Sequence, residues 1–372
     1  MKFISVLGST GSVGTQSLEV IRNLKDYKVI ALSAGNNIEL LESQIREFQP
    51  KYVCVEKFEN ARVLKQKFSD ITFFSGKDGL CDISKIDSDI VLNAVAGFTG
   101  LYVSVSAIEM GKTLILANKE SIVSGAHYLM NLAKEKKSKI LPIDSEHSAI
   151  WQCIDGKDEF VKKIILTASG GPFFGIDRDK LKNVTIQDVI KHPTWKMGAK
   201  ISVDSATMMN KGLEIIEAFH LFNIPNIDVL IHPQSIVHSM VEFVDGNIIS
   251  QMSIPSMKFP IQYALTYPKR EKISHGSLDL DKIRNLSFYN PDKNIQEILD
   301  LCKYATSDNS VSCALNAINE EAVKSFLNGK IQFLDIENIV KKSIEKFNPF
   351  KISSFEDIVY CDSKVRSNYL NI

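Results

Sequence analysis

The chain has 372 residues, 44% of them hydrophobic and 24% charged. That length implies two or three globular domains of roughly 100–200 residues each. Its 44 basic and 44 acidic residues cancel, which argues against a bulk nucleic-acid or membrane-surface binder but leaves room for a local pocket holding one phosphate.

In chain order, the short apolar run at 3–7 passes straight into a glycine-rich turn, so it reads as a first strand rather than a signal peptide. A helix is expected at 15–24, a strand at 29–34, a helix at 38–48, and strands at 52–55, 90–94 and 113–117. Strands rich in valine and isoleucine that alternate with amphipathic segments imply a parallel sheet covered on both faces. Beyond 146 the pattern changes. Strands are expected at 164–168, 229–231 and 239–244. Asp245-Gly246 reads as a hairpin turn into a further strand at 247–252. Between them, 170–199 is a long polar loop with little periodicity, the usual look of a functional lid or of a disordered segment. Helical spacing returns at 294–303, 310–328 and 335–346. No run approaches about 18 continuous apolar residues, so no membrane span is expected. The six cysteines are scattered without a CxxC pair, and free thiols in a reducing, cytoplasmic compartment are the expectation.

The fold class that follows is α/β. A Rossmann-like parallel sheet is expected at 1–145, an α+β catalytic domain with a flap loop at about 169–199 at 146–266, a linker at 267–291 and a C-terminal helical bundle at 292–372.

Five motifs carry chemistry. Gly8-Ser9-Thr10-Gly11-Ser12-Val13-Gly14 lies between a strand and a helix. Glycines there let the backbone turn sharply and approach a pyrophosphate at the helix N-terminus, although a structural tight turn has the same look. After the second strand comes Gly35-Asn36-Asn37, with no acid to bind a ribose 2′-hydroxyl. That end tolerates a 2′-phosphate and favours NADPH. Asn118-Lys119-Glu120 follows another strand, either as ligand contacts or as a solvated helix start. Asp144 and Glu146 are two apart. In an extended segment they point to one side and hold a hard cation; at a helix start they are an acidic cap. His147 reads either as a further ligand or, the favoured reading, as a structural hydrogen-bonding residue. Finally, 202–214 gathers hydroxyls, an amide and a lysine, the equipment for a phosphate monoester. Asn210 and Glu214, four apart, share a helix face there. In the lid region, Trp195 either covers a substrate or anchors packing.

Taken together, GSTGSVG at 8–14, LANKES at 116–121, PIDSEHSAIWQ at 142–152, TASGGPF at 167–173, HPTWKMGAKISVDSATMMNKGLEIIEA at 192–218 and IHPQSIVHSMVEF at 231–243 resemble the 1-deoxy-D-xylulose 5-phosphate reductoisomerases. These are the fosmidomycin-inhibited enzymes of the non-mevalonate isoprenoid route. The resemblance runs over essentially the whole chain. It implies rearrangement of 1-deoxy-D-xylulose 5-phosphate and its reduction to 2-C-methyl-D-erythritol 4-phosphate, with NADPH and one divalent metal (Mn²⁺, Mg²⁺ or Co²⁺), in a homodimer. By motif it makes Asp144, Glu146 and Glu214 the metal ligands and catalytic with Lys119. Ser169, Ser205, Asn210 and Lys211 hold the phosphate, Ser145 and Lys119 contact sugar oxygens, and His192 and Trp195 lie on the flap. Thr10, Gly11, Ser12, Val13, Gly35, Asn36, Asn37, Asn118, Glu120 and Gly198 meet NADPH. Two positions depart from the common pattern. Asn36 stands where the family often has a basic residue, and Pro255-Ser256-Met257-Lys258 replaces a proline-aspartate-methionine-arginine run. A semialdehyde dehydrogenase working through a covalent thioester is a rival reading. It needs a nucleophile, for which Cys153 is the nearest candidate. A non-catalytic NADPH-binding sensor is the second rival; three converging acids and a phosphate cluster would serve no purpose in it.

Overall fold

The computed structural model describes residues 1–191 and 198–369. The chain opens with β1 (Lys2–Leu7), α1 (Ser12–Arg22), β2 (Tyr27–Ala34), α2 (Ile38–Phe48), β3 (Tyr52–Val55), α3 (Phe58–Lys67), β4 (Thr72–Ser75), α4 (Gly76–Lys85), β5 (Ile90–Asn93), α5 (Thr99–Glu109), β6 (Thr113–Leu116), α6 (Lys119–Lys136) and β7 (Ile140–Pro142). All seven strands run parallel, in the order β4-β3-β2-β1-β5-β6-β7. Ile4, Val6, Leu92, Leu114 and Ile115 are wholly buried, as strands covered on both faces require. The order reverses at β1, and ligand crevices of open α/β sheets lie at such a reversal, beyond the carboxyl ends of the strands. The edge strand β4, half exposed along Phe73-Phe74-Ser75, lacks the alternation that would have announced it.

After β7 the chain continues through α7 (Ser145–Ile154), β8 (Val161–Ala168), α8 (Ile186–Ile190), α9 (Ala199–Ala206), α10 (Met209–Phe222), β9 (Ile227–Ile231), β10 (Val237–Phe243) and β11 (Ile248–Met252). The order in this second sheet is β11-β10-β8-β9, with β8 and β9 parallel and the other pairs antiparallel. The hairpin turns at Gly246, whose φ of 85° is a conformation natural to glycine. Next comes α11 (Lys258–Thr266), and then α12 (Lys293–Ala305), α13 (Asn309–Leu327), α14 (Phe333–Glu345) and α15 (Phe355–Tyr369).

By contact the chain divides into two compact units. One comprises Met1–Ser121, Leu129–Asp144 and Met257–Gly276; the other comprises Ile122–Tyr128, Ser145–Ser256 and Ser277–Ile372. In the first unit Lys258, one of the departures from the family pattern, pairs with Glu19 of α1 at 2.5 Å. In the second, one core gathers Ile150, Ile164, Leu166, Ile215, Val229, Val241 and Leu299. All six cysteines are free thiols. Among the described residues no helix is long and apolar enough to cross a membrane.

Two expectations need correction. The segment 143–146 is not extended: β7 ends at Pro142 and Ser145 already opens α7, so Glu146 stands in the first turn of a helix. Within the loop expected at 170–199, the described residues 170–191 are more ordered than their composition implied. They carry a 3₁₀ turn at Arg178–Asn183 and then α8, which Thr185 and Asp188 start with a reciprocal capping box. Phe173, Leu181, Val184, Ile186 and Val189 pack with Val323, Phe326 and Phe333 of α13 and α14, and Arg178 pairs with Glu337 at 2.6 Å. The apolar residues of this stretch are too irregularly spaced to show a period, yet they bury one common face. His192 and Trp195 lie outside the described residues.

Candidate active site

The glycine loop of the first unit is built by backbone. Gly8 has φ of 84°, and a Cβ there would meet the Ala94 carbonyl oxygen at 2.4 Å; one on Gly14 would meet the Gly8 oxygen at 2.2 Å. Gly11 differs, because its nearest neighbour would be 3.4 Å away. It caps α1 without a side-chain bond, and no acid stands in the first turn. The leading amides of α1 are therefore suited to a phosphate charge, and the residues present fit a dinucleotide. Sequence reasoning missed what holds the loop. Ser33 Oγ accepts from the Gly8 amide at 2.9 Å. Buried Ser9 donates to Gln44 at 2.7 Å, and Gln44 donates back to the Ser9 carbonyl at 2.9 Å. Gln44 is a polar residue in the buried stripe of α2, and that anomaly was the available signal.

Other expected cofactor residues are committed locally. Asn37 caps α2 by accepting from the Leu40 amide at 3.2 Å. Asn118, 3% exposed, caps α6 by accepting from the Ser121 amide at 2.9 Å and donates to Glu120 at 2.8 Å. Gly35 directly follows β2, and Ser12 and Val13 open α1. Thr10 lies in the turn between β1 and α1.

In the second unit, α7 and α10 bring Glu146 and Glu214 together, with carboxylate oxygens within 4.8 Å of each other. Lys211 reaches both: its Nζ donates to Glu146 at 2.8 Å and also to Glu214. Asn210 donates to the other Glu214 oxygen at 2.6 Å, and Ser145 donates to Glu146. Burial works to lower the Lys211 pKa, but the charges of Glu146 and Glu214 and their hydrogen bonds outweigh it and hold the group above its ordinary value. The ammonium is a stand-in for positive charge between two hard oxygen donors, which is the donor chemistry a divalent cation takes. Asp144 stands two residues before Glu146, at the end of the first unit's segment Leu129–Asp144. In the first unit the same Asp144 pairs with Lys119 at 3.0 Å.

Behind this corner lies a buried pair that the sequence did not announce. His147 Nε2 meets the Glu214 backbone carbonyl at 3.0 Å, and Nδ1 faces Glu217 at 3.5 Å. His147 thus has the structural role expected of it.

The phosphate-type residues gather beside the same helices. Gly170 and Gly171 follow Ser169 with φ of 86° and 68°, and a Cβ on Gly171 would lie 2.6 Å from the Ser205 carbonyl oxygen. The Gly171 amide donates to Ser169 Oγ at 3.3 Å. Ser205 ends α9, and Asn210 and Lys211 open α10. Met208, between the two helices, has a left-handed φ of 60°, a costly conformation for its residue type. It lies between Ser205, near the end of α9, and Asn210, near the start of α10, and no spacing rule points to it. Gly198 caps α9. Cys153 is buried, and burial pushes its thiol up to about 11, so it is no thiolate nucleophile for a covalent thioester.

Comparison with known proteins agrees with this geometry. Residues 4–126 match the family described as 1-deoxy-D-xylulose 5-phosphate reductoisomerase, 140–222 its C-terminal domain, and 252–368 the DXP reductoisomerase C-terminal domain. The 1-deoxy-D-xylulose 5-phosphate reductoisomerase of Lachnoclostridium phytofermentans is 48% identical over 386 residues, covering 99% of this chain and 100% of the relative. That of Caldanaerobacter subterraneus is 45% identical over 377 residues, covering 100% and 99%. A crystal structure of DOX-P reductoisomerase with NADPH, fosmidomycin and magnesium is similar at a TM-score of 0.93 and 38% identity, covering 100% of this chain and 98% of that one. The Zymomonas mobilis enzyme in complex with NADPH is similar at 0.91 and 39%, with the same coverage. The chain therefore belongs to the 1-deoxy-D-xylulose 5-phosphate reductoisomerase family.

Proposed function

We propose that this chain rearranges 1-deoxy-D-xylulose 5-phosphate and reduces the product with NADPH to 2-C-methyl-D-erythritol 4-phosphate, using one divalent metal, as a step toward isoprenoid precursors. The observation that carries this reading is the convergence of Glu146 and Glu214 on one cationic point, within a corner that also bears Ser205 and Asn210. Asp144, Glu146 and Glu214 would hold Mn²⁺, Mg²⁺ or Co²⁺. When bound, the metal supplies Lewis-acid stabilisation of developing oxyanion charge, and NADPH supplies the hydride.

The chain's own residues do the rest. Ser169, Ser205, Asn210 and Lys211 offer the phosphate short donors and one cation. Fixing the substrate's far end lets phosphate binding energy orient the reacting carbons. Ser145 and Lys119 contact sugar oxygens, and Lys119 is held ready by its pair with Asp144. To His192 and Trp195 we assign contact with the substrate, with Trp195 excluding water. Thr10, Gly11, Ser12, Val13, Gly35, Asn36, Asn37, Asn118, Glu120 and Gly198 line the NADPH site. The edge strand β11, with Ile248 and Ile249 exposed, supports a homodimer, and we place the enzyme in the cytoplasm.

The test is consumption of NADPH, followed by absorbance, with 1-deoxy-D-xylulose 5-phosphate before and after EDTA. The reading expects turnover that EDTA abolishes and Mn²⁺ or Mg²⁺ restores. Turnover indifferent to EDTA, or none with any of the three metals, overturns it.

A further inference from the structure

Ser205 is the last residue but one of α9, so its position depends on what holds that short helix. Among the contacts of α9, three bear on the placement of Ser205. Val203 packs among Val189, Ala322, Val323 and Phe326. The Gly171 backbone abuts the Ser205 carbonyl. The third contact is polar and fully enclosed. Asp204 is 1% exposed and Asn319 of α13 is 0% exposed, and Asn319 Nδ2 donates to Asp204 Oδ1 at 2.8 Å. The second Asp204 oxygen pairs with Lys200, one turn earlier, at 2.8 Å.

A carboxylate taken out of water is costly unless it is bonded, and apolar packing alone would anchor α9 without that cost. Apolar contact is non-directional, whereas a charge-assisted hydrogen bond prescribes distance and angle. The bond therefore fixes the rotation and axial position of α9 on α13. One residue further along, the same helix presents Ser205, with Met208 and Asn210 following at the corner. The geometry points to Asp204 and Asn319 as a positioning pair through which the C-terminal helix α13 sets the phosphate-binding corner. The inference rests on the reading that Ser205 holds the substrate phosphate.

The test compares Asn319→Ala, Asp204→Asn and the exchanged double variant Asp204→Asn/Asn319→Asp with the unaltered enzyme, alongside Ser205→Ala. KM for 1-deoxy-D-xylulose 5-phosphate, kcat, the Kd for NADPH and the melting temperature are measured. Misplacement of the corner should raise KM on the order of tenfold or more in each single variant, with the NADPH Kd unchanged. The exchanged variant restores an amide facing a carboxylate and should recover most of that loss. Recovery of folding by the exchange, where a single variant does not fold, supports the pair equally. Folded single variants with unchanged KM overturn the inference, as does an exchanged variant no better than the singles. If Ser205→Ala raises KM and Asn319→Ala does not, the positioning pair fails alone. If Ser205→Ala leaves KM unchanged, the phosphate reading fails with it.

Discussion

In the proposed function, the glycine loop after β1 and the carboxylate corner of α7 and α10 would serve two ligands by opposite means. The loop offers backbone. Gly8 and Gly14 are there because any side chain would collide with main-chain atoms, and the bare first turn of α1 leaves amides for a charge. The corner offers side chains. Glu146 and Glu214 come from different helices, are bridged by Lys211 and are backed by the buried pair His147–Glu217. A backbone site tolerates changes of side chain but no added Cβ. A side-chain site depends on each functional group yet tolerates much around it. Substitutions should therefore separate the two, with cofactor affinity and turnover failing independently.

The largest effect is expected at the corner. Glu214→Gln keeps size and hydrogen bonding but removes the charge, and turnover should fall at least about a hundredfold while NADPH binding, measured by fluorescence titration, stays within twofold. Parallel loss of both would erase the distinction between the regions. At the loop, Gly8→Ala forces a Cβ onto the Ala94 carbonyl at a left-handed φ. It should cost about 1–3 kcal/mol in urea unfolding and weaken NADPH; unchanged values would show that the loop yields. The smallest effect is expected from Asn118→Ala. Losing the α6 cap should lower stability by about 1 kcal/mol, and a larger drop in NADPH affinity than in stability would mark a direct cofactor contact.

The sequence foretold these regions unequally, for physical reasons. A parallel strand buried on both faces writes itself as a run such as Ile4-Ser5-Val6-Leu7, and the glycine spacing after it is local, so the first unit was legible from 3 to 55. Asp144 and Glu146 were legible as a pair, and of the two local readings open for them, extended segment or helix start, the helix start holds. The backbone turns from strand to helix between them, and an alternation rule that assumes an extended chain does not apply. Glu214 could be joined to them only through the resemblance, because contacts between distant helices leave no spacing in the chain. The apolar face of 173–190 was hidden by its irregular spacing. Gln44, Met208 and Asn319 act through bonds and backbone angles that no periodicity encodes.

The central claim is that Glu146 and Glu214 hold a divalent cation. Titration of Mn²⁺ into the protein, with the free ion followed by electron paramagnetic resonance, tests it without substrate or cofactor. The unaltered chain should take up one Mn²⁺, and Glu146→Gln and Glu214→Gln should each weaken that binding at least about tenfold. Equal Mn²⁺ affinity in both variants and the unaltered chain would contradict the claim.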